Sequence, residues 1–387
     1  MRRERALLCS ADMKALAALF LTALAGCVDP ADTPAGFDID KDSAAAQVEG
    51  GKADWAFDVC HVMGWYGDGE CDKFCPTIDD DCEVPRPAGL DLLDRYALPG
   101  ADLFPESVGF DEARAEFFIG SLSAGSVSRV ARTGDVSVMF PGTGQADRMT
   151  LGVKFDAPRD RVVVCQYANE TPKSGRIWLF DASTGRRTHD IDLSPAAPTA
   201  SCSDVLVDGS GAILVTDREL PNIYRVEPHA DGTARVSLWA TDPLLAKPAL
   251  GIGQNGIAFS ADGAAVLVTM YLPGKLRRIS VANPREVSDV ELHGDHPLPQ
   301  LLAGADGMVR LGDALYVTFG SSLLRLRSPD GWHSAHIDRF ELGFKLAAVT
   351  VARGQLYVLR SDIPQYVLPG SPGPFELVRF DPRMFDQ

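Results

Sequence analysis

The feature that most constrains the fold of this chain is a repeat of short apolar runs over its C-terminal part. Each run is rich in β-branched and aromatic residues, and most follow a turn that contains Gly or Asp. Successive runs begin 41 to 53 residues apart, and the six of them start at Phe117, Val162, Ile213, Val266, Leu315 and Leu356. Units of this length with several strands each are typical of β-propellers. The sequence therefore predicts an all-β fold, a six-bladed β-propeller over residues 90–387.

The two ends of the predicted propeller complement each other. The last unit ends at Glu376–Phe380, and little chain remains after it for a fourth strand. Leu92–Leu98, ahead of the first unit, can supply the missing strand. Ring closure by strands from both ends would remove sheet edges that otherwise present unpaired backbone groups.

The chain begins with a segment typical of export. Residues 13–26 comprise a basic residue, a short apolar run and small residues, which together describe a secretory signal. The Leu-Ala-Gly that precedes Cys27 resembles the bacterial lipobox, in which the Cys is acylated. Residues 1–26 are therefore predicted to be a lipoprotein signal peptide whose natural start is Met13. We expect an exported protein, lipid-anchored through Cys27 at the bacterial cell envelope, in the outer membrane. A plain signal peptide with an accidental Cys, or a twin-arginine signal at Arg2-Arg3, is the alternative.

Between this signal and the propeller the composition changes twice. Residues 27–53 hold few large apolar groups, so we expect a disordered, flexible tether. Residues 54–84 are too few to build an adequate core, and a small disulfide-rich module is predicted there. Its four cysteines, expected to pair among themselves, are Cys60, Cys71, Cys75 and Cys82.

The module carries carboxylates between its cysteines, with glycines that permit tight turns. Hard oxygen ligands held in this way suit calcium. The segments Gly69–Cys75 and Asp80–Cys82 resemble the Lin-12/Notch repeat, although that family has six cysteines where this module has four. A disulfide knot with a solvated acidic face and no ion is the alternative. The resemblance implies calcium ligands among Asp68, Asp72, Asp79 and Asp81.

Two further cysteines, Cys165 and Cys202, fall in neighbouring units of the repeat. Even numbers of cysteines in an exported chain indicate disulfides rather than metal thiolates. We therefore expect a bridge between blades two and three, with two free buried thiols as the alternative.

The charge balance excludes two classes of partner. The chain has 53 acidic and 37 basic residues, a formal net charge of −16. Nucleic acid and anionic lipid surfaces both favour clustered Lys and Arg. We therefore expect no nucleic-acid partner, membrane contact only through the N-terminal lipid, and a monomer.

Three oxygen-bearing side chains lie just before or at the innermost strand of their units. Glu106 follows Pro105, Asn255 opens an Asn-Gly-Ile-Ala-Phe-Ser-Ala-Asp-Gly run, and Asp306 precedes Gly307. Because inner strands line the central channel of a propeller, these oxygens are expected to converge on calcium or another divalent cation. Asn-Gly and Asp-Gly pairs also form ordinary turns, which is the alternative.

These motifs resemble those of the senescence-marker-protein, gluconolactonase and LRE-like family of six-bladed propellers. The resemblance covers roughly residue 90 to the C-terminus, and its most specific part is the run that begins at Asn255. One departure is Ser203, which stands where the family has the Asn of an Asn-Asp pair. The resemblance implies metal ligands at Glu106, Asn255 and Asp306, a role for Asp306 as catalytic base or nucleophile, and a substrate pocket at Ser203 and Asp204.

Two functions are consistent with these residues. In the family the metal acts as a Lewis acid on a lactone or ester carbonyl, so the resemblance implies a calcium-dependent hydrolase of a small-molecule lactone or ester. The alternative is a non-catalytic surface propeller that binds a ligand or a protein and keeps the ion as a structural element. Ser203 favours the second function, and the matched ligand set favours the first.

Overall fold

The computed structural model describes residues 39–49, 59–63, 65, 70, 72, 74, 91–100, 103–123, 125–144, 148–169, 173–249, 251–295, 304–363, 366 and 373–386. The chain separates into two units, Met1–Ala88 and Gly89–Gln387. Over the described ranges, no helix is long and apolar enough to cross a membrane.

The described part of the first unit contains two short helices, α1 (Lys41–Glu49) and α2 (Val59–Met63). Asp40 begins α1, because its carboxylate accepts a 2.8 Å hydrogen bond from the Ser43 backbone N–H and so caps a run of alanines that favours helix. Ala44 packs against Val59 and Cys60 of α2. The segment expected to be a disordered, flexible tether, residues 27–53, thus contains a helix at Lys41–Glu49.

The structure describes one of the four cysteines of the predicted module. Cys60 is disulfide-bonded, while Cys71, Cys75 and Cys82 lie outside the described residues. The connectivity within the module therefore stays a prediction.

The described second unit consists of six sheets, one for each predicted blade, and the four strands of each blade pair antiparallel. Blades 1 to 3 each follow chain order from the innermost to the outermost strand. Their strands are β2 (Pro105–Asp111), β3 (Glu116–Ser121), β4 (Val127–Val130) and β5 (Val136–Phe140); β6 (Arg148–Asp156), β7 (Arg161–Ala168), β8 (Ser174–Asp181) and β9 (Arg187–Asp192); and β10 (Val205–Val207), β11 (Ile213–Thr216), β12 (Asn222–Pro228) and β13 (Ala234–Thr241).

Blades 4 to 6 continue the pattern, and blade 6 takes its outermost strand from the start of the unit. Their strands are β14 (Gln254–Phe259), β15 (Ala265–Met270), β16 (Lys275–Ser280) and β17 (Val287–Asp289); β19 (Ala305–Leu311), β20 (Ala314–Phe319), β21 (Ser322–Arg327) and β22 (Ser334–Glu341); and β23 (Leu346–Ala352), β24 (Gln355–Arg360), β25 (Phe375–Phe380) and β1 (Arg95–Leu98). The predicted all-β, six-bladed propeller is confirmed.

The ring closes between the two ends of the unit, as the sequence predicts. Strand β1 pairs antiparallel with β25, with Arg95 opposite Val378. Tyr96 is buried, and its ring lies 5.2 Å from that of Phe117 in blade 1 and 6.1 Å from that of Tyr357 in blade 6. The closing strand therefore packs against both the first and the last blade.

Two further features add to this pattern, one within blade 5 and one between blades two and three. Blade 5 has a fifth strand, β18 (Glu291–Gly294), which pairs parallel with the edge strand β22; the sequence analysis did not predict it. Cys165 in β7 and Cys202, ahead of β10, form a disulfide with 6.0 Å between their Cα atoms. The predicted bridge between blades two and three is confirmed.

Candidate functional site

Innermost strands of five blades share one irregularity in the described ladders, a slip of register near the start of the strand. In each case a residue bulges out of the pairing with the neighbouring strand. A bulge re-aims a side chain that regular alternation would place elsewhere. The bulged stretches hold Glu106, Leu151, Asn255, Asp306 and Ala347. In blade 3, Ser203 and Asp204 immediately precede β10 and occupy the corresponding place.

These residues meet on the central channel. Glu106, Asp204, Asn255 and Asp306, from blades 1, 3, 4 and 5, line one small cavity together with Lys154 of blade 2. We refer to Glu106, Asp204, Asn255 and Asp306 as the channel site. The structure thus brings together the three residues predicted as metal ligands, with Asp204 beside them.

A chain of hydrogen bonds fixes the amide of Asn255. Its Nδ2 donates to Oδ1 of Asp306 at 2.8 Å, and its Oδ1 accepts the Ser203 hydroxyl at 3.1 Å. The Thr216 hydroxyl also donates to the Asn255 backbone carbonyl at 3.0 Å. Ser203, predicted to line a substrate pocket, therefore contacts a predicted metal ligand directly.

The glycines that follow two of these residues allow neighbouring blades to approach closely. A Cβ atom on Gly256 would lie 2.7 Å from the carbonyl oxygen of Asp306, and one on Gly307 would lie 2.7 Å from the Cα of Ala348. Both glycines lie within inner strands, so the Asn-Gly and Asp-Gly pairs are not turns here. They permit backbone contact that any larger residue would obstruct.

The carboxyl groups of the channel site are buried and repel one another when they are ionised. Burial raises the pKa of Glu106 well above its usual range, and the charges of Asp306 and Asp204 raise it further. Burial also raises the pKa of Asp306 to about 7, against the influence of the Asn255 hydrogen bond and of Arg218. For Asp204, burial raises the pKa although Lys154 stands nearby. The site holds more negative charge than its surroundings neutralise.

The oxygen atoms of the three predicted ligands suit a hard cation that takes only a few of its ligands from the protein. Over the described residues, no three His, Cys, Asp or Glu side chains lie close enough to hold one metal ion. Glu106 and Asp306 supply two carboxylates, and the third predicted ligand is the amide of Asn255. Carboxylate and amide oxygens completed by water suit calcium or magnesium.

A larger cavity of about 660 Å³ adjoins the channel site and shares Glu106, Asn255 and Asp306 with it. We call it the large cavity. Its walls include residues that the sequence analysis did not single out as ligand-binding, and no motif marks them. Most lie on loops between strands, namely Leu122, Asn169, Arg218, Ile252, Tyr271 and Lys345. Met149 and Phe319 lie in β6 and β20.

The predicted site of the small module is described only at Asp72. Its side chain is buried, and Oδ2 lies 2.8 Å from the Lys41 ammonium. Asp68, Asp79 and Asp81 lie outside the described residues, as does Cys27. The module's calcium site therefore stays a prediction, with one of its carboxylates already paired with a lysine.

Comparison with known proteins supports the fold. No protein-family model matches the chain, and no curated protein matches it. Among solved structures, the chain is similar to the major allergen Mala s 1 of Malassezia sympodialis, at 17% identity and a TM-score of 0.60, over 75% of this chain and 97% of that one.

Two other solved structures resemble it to a similar degree. One is provisionally named a gluconolactonase, at 16% identity and a TM-score of 0.51, over 76% of this chain and 96% of that one. The other, from Thermus thermophilus, is provisionally named an oxidoreductase (glucose dehydrogenase), at 16% identity and a TM-score of 0.52, over 74% and 99%. At these identities the likeness establishes the propeller fold, and propellers with different names share it.

Proposed function

We propose that the channel site binds a divalent cation, calcium in the first instance, through Glu106, Asn255 and Asp306. The convergence of these three side chains on one small cavity carries this proposal, and the raised pKa values of Glu106 and Asp306 support it, because they mark two carboxyl groups whose charges are poorly compensated. Lys154 lies 3.7 Å from Asp204, and neither Glu106 nor Asp306 forms an ion pair within the described residues. A divalent cation would remove the repulsion between them.

On this basis we propose that the protein hydrolyses a lactone or an ester. When bound, the cation would supply Lewis-acid stabilisation of the oxyanion that forms at the carbonyl. Asp306 would accept a proton from the attacking water, because its carboxylate borders the large cavity where a substrate would lie. Asn255 holds that carboxylate in place through the 2.8 Å hydrogen bond.

A second candidate is a non-catalytic propeller that binds a ligand or a protein and keeps the cation as a structural element. One observation favours it. The Ser203 hydroxyl occupies the amide oxygen of Asn255, which is the atom that would face a cation. A weakened metal site would serve structure more readily than turnover.

One experiment separates the two candidates. The protein is stripped with a chelator and assayed on a panel of lactones and aryl esters, with and without added calcium, and calcium binding is measured by calorimetry. We expect hydrolysis to require calcium and to fall by about 100-fold or more in Asp306→Asn. The matched control is Asp313→Asn, which changes an exposed carboxylate in the turn between β19 and β20 and should retain full activity. Calcium binding without any hydrolysis would favour the second candidate.

We also propose that the protein is exported and lipid-anchored through Cys27. The disulfide between Cys165 and Cys202 supports an oxidising compartment. Metabolic labelling with a palmitate analogue tests the anchor, and a Cys27→Ala protein that still fractionates with membranes would contradict it.

For the small module we propose calcium binding by the Asp68, Asp72, Asp79 and Asp81 group. The support is the spacing of its carboxylates and cysteines. Chelation should then accelerate proteolysis of residues 55–83. An unchanged rate would leave a module held by disulfides and by the ion pair between Lys41 and Asp72.

A further inference from the structure

The wall of the large cavity carries two positively charged side chains that form no ion pair within the described residues. Arg218 and Lys345 both line the cavity. Throughout the described residues, neither side chain lies within ion-pairing distance of a carboxylate. Two carboxylates flank Arg218 in sequence. Asp217 accepts hydrogen bonds from Ser201 and Tyr224, and Glu219 is paired with Lys173 at 2.8 Å and with Lys247 at 3.5 Å.

Among the described residues, the Arg218 guanidinium has no hydrogen-bonded partner. It lies over the ring of Tyr167, 5.0 Å from the centroid, and its Nε is shielded from solvent without a hydrogen bond to any described residue. A buried donor left in this state is unfavourable. A stacked guanidinium presents a fixed fork of N–H groups, which matches the oxygens of a carboxylate or a phosphate.

The remaining wall is largely apolar. Leu122, Met149, Ile252 and Phe319 contribute to it. A cavity of about 660 Å³ with apolar walls and a few placed polar groups has the size and composition of a small-molecule site. Its occupant would therefore combine an apolar body with a charged end.

The two cationic side chains give the sign of that end. Arg218 faces the charges of Glu106 and Asp306 in the channel site at longer range, but among the described residues it forms no ion pair with either. Arg218 and Lys345 therefore both present a positive charge on the cavity wall without an ion-pair partner in the described part of the chain. An uncharged ligand would leave them uncompensated, and a cationic ligand would be repelled.

We infer that the large cavity takes an anionic ligand, an ester or lactone with an apolar body and a carboxylate or phosphate group that Arg218 and Lys345 bind. This inference deepens the proposed hydrolase function and rests on it for the ester or lactone part. The anion-binding part stands on Arg218, Lys345 and the cavity alone.

Two matched pairs of probes test the inference. Mono-4-nitrophenyl glutarate and 4-nitrophenyl valerate are esters of similar size that differ in a terminal carboxylate, and kcat/KM is measured for both. Glutaranilic acid and valeranilide form the corresponding amide pair, whose binding is measured by calorimetry with calcium present. Phenyl phosphate, added to the binding series, separates phosphate from carboxylate recognition.

The variants are Arg218→Met and Lys345→Met, each of which removes one charge while retaining an apolar chain. Lys345 is exposed, so its substitution does not endanger folding. The control is Arg186→Met, which removes a charge from a separate surface groove. Circular dichroism checks that each variant is folded.

We expect the wild type to prefer the anionic ester by about 10-fold to 100-fold, the range of a charged hydrogen bond. Arg218→Met should abolish most of this preference, Lys345→Met part of it, and Arg186→Met none. An equal kcat/KM for the two esters that Arg218→Met leaves unchanged would overturn the inference while the hydrolase proposal stands. If neither ester is hydrolysed, the hydrolase proposal fails. Arg218-dependent binding of glutaranilic acid or phenyl phosphate would then still support anion recognition, and its absence would overturn it.

Discussion

Asn255 donates a 2.8 Å hydrogen bond to Asp306, although 51 residues separate the two in sequence. Both lie on bulges of inner strands in adjacent blades, so the contact is produced by the repeat itself. The amide presents its nitrogen to Asp306 and its oxygen to Ser203. A cation bound through that oxygen would share the oxygen with the Ser203 hydroxyl, while the amide nitrogen can keep its bond to Asp306.

Ser203 should therefore compete with the cation for Asn255. We expect Ser203→Ala to raise calcium affinity by about 2-fold to 10-fold, the value of one neutral hydrogen bond, as measured by calorimetry. Ser203→Thr keeps a hydroxyl and should bind like the wild type. A Ser203→Ala protein with lower affinity would mean that the hydroxyl supports the ligand rather than competing with the ion.

The raised pKa of Asp306 predicts a pH dependence for the metal-free protein. In the folded chain this carboxyl has a pKa of about 7, above its ordinary value of 3.8. Between these values the folded state binds more protons than the unfolded state, so the free energy of unfolding falls as the pH rises. In excess chelator, the contribution of Asp306 to the Tm should decrease as the pH rises from about 4 to 7 and level off above that.

The matched variant for this measurement is Asp306→Asn, which cannot titrate. Its Tm should depend less steeply on pH across the same window, and added calcium should raise the Tm of the wild type at pH 8 but not that of the variant. Parallel curves for the two proteins would show that Asp306 does not titrate in this range.

The contact between blades 4 and 5 predicts a strict requirement for glycine at position 256. Gly256→Ala would place a methyl group 2.7 Å from the Asp306 carbonyl oxygen, and overpacking of this kind typically lowers the free energy of unfolding by about 1 to 3 kcal/mol. Gly209→Ala is the control, because a Cβ there meets no atom within 4 Å. Urea denaturation compares the two, and equal midpoints would contradict the predicted clash.

Ring closure predicts that Tyr96 contributes far more to the free energy of unfolding than its neighbour Arg95. Tyr96→Ala removes a buried ring that packs on Phe117 and Tyr357, so we expect a loss of about 3 to 5 kcal/mol. Arg95 is half-exposed and pairs with Glu376 at 2.6 Å, and Arg95→Ala should cost less than about 1 kcal/mol. Similar losses in the two variants would indicate that β1 is not packed as described.

The disulfide predicts a stability difference between oxidised and reduced protein. Cys165 and Cys202 are 37 residues apart, and a bridge of this loop length stabilises a fold by about 2 to 4 kcal/mol. A Cys165→Ala, Cys202→Ala double variant should lose this amount in denaturant, and reductant should not lower it further. Equal stability of the wild type with and without reductant would contradict the prediction.

The sequence predicts the repeat well because a buried central strand in each unit leaves a continuous apolar run, such as Val162–Val164 or Val266–Val268. It also places Glu106, Asn255 and Asp306 at inner strands, since their motifs precede those runs at regular distances. The bulges that turn these side chains to the channel have no signal of their own, because a register slip depends on the partner strand.

Other elements escape prediction for different reasons. Arg218 and Lys345 lie on loops, where spacing carries no periodic pattern. Strand β18 forms by parallel pairing with β22, the edge strand of blade 5. Local sequence does not specify this contact. The α1 helix had a local signal in Asp40 and the alanine run, but low hydrophobicity favoured the interpretation as a flexible segment.

The closing strand has a consequence for synthesis of the chain. Arg95 of β1 and its ion-pair partner Glu376 are 281 residues apart, so β1 leaves the ribosome long before β25 exists. Until the last strand emerges, blade 6 lacks its full sheet and the ring cannot shut. Completion of the propeller therefore waits until β25 is available, and a chain truncated before Phe375 would leave β1 unpaired and the ring open.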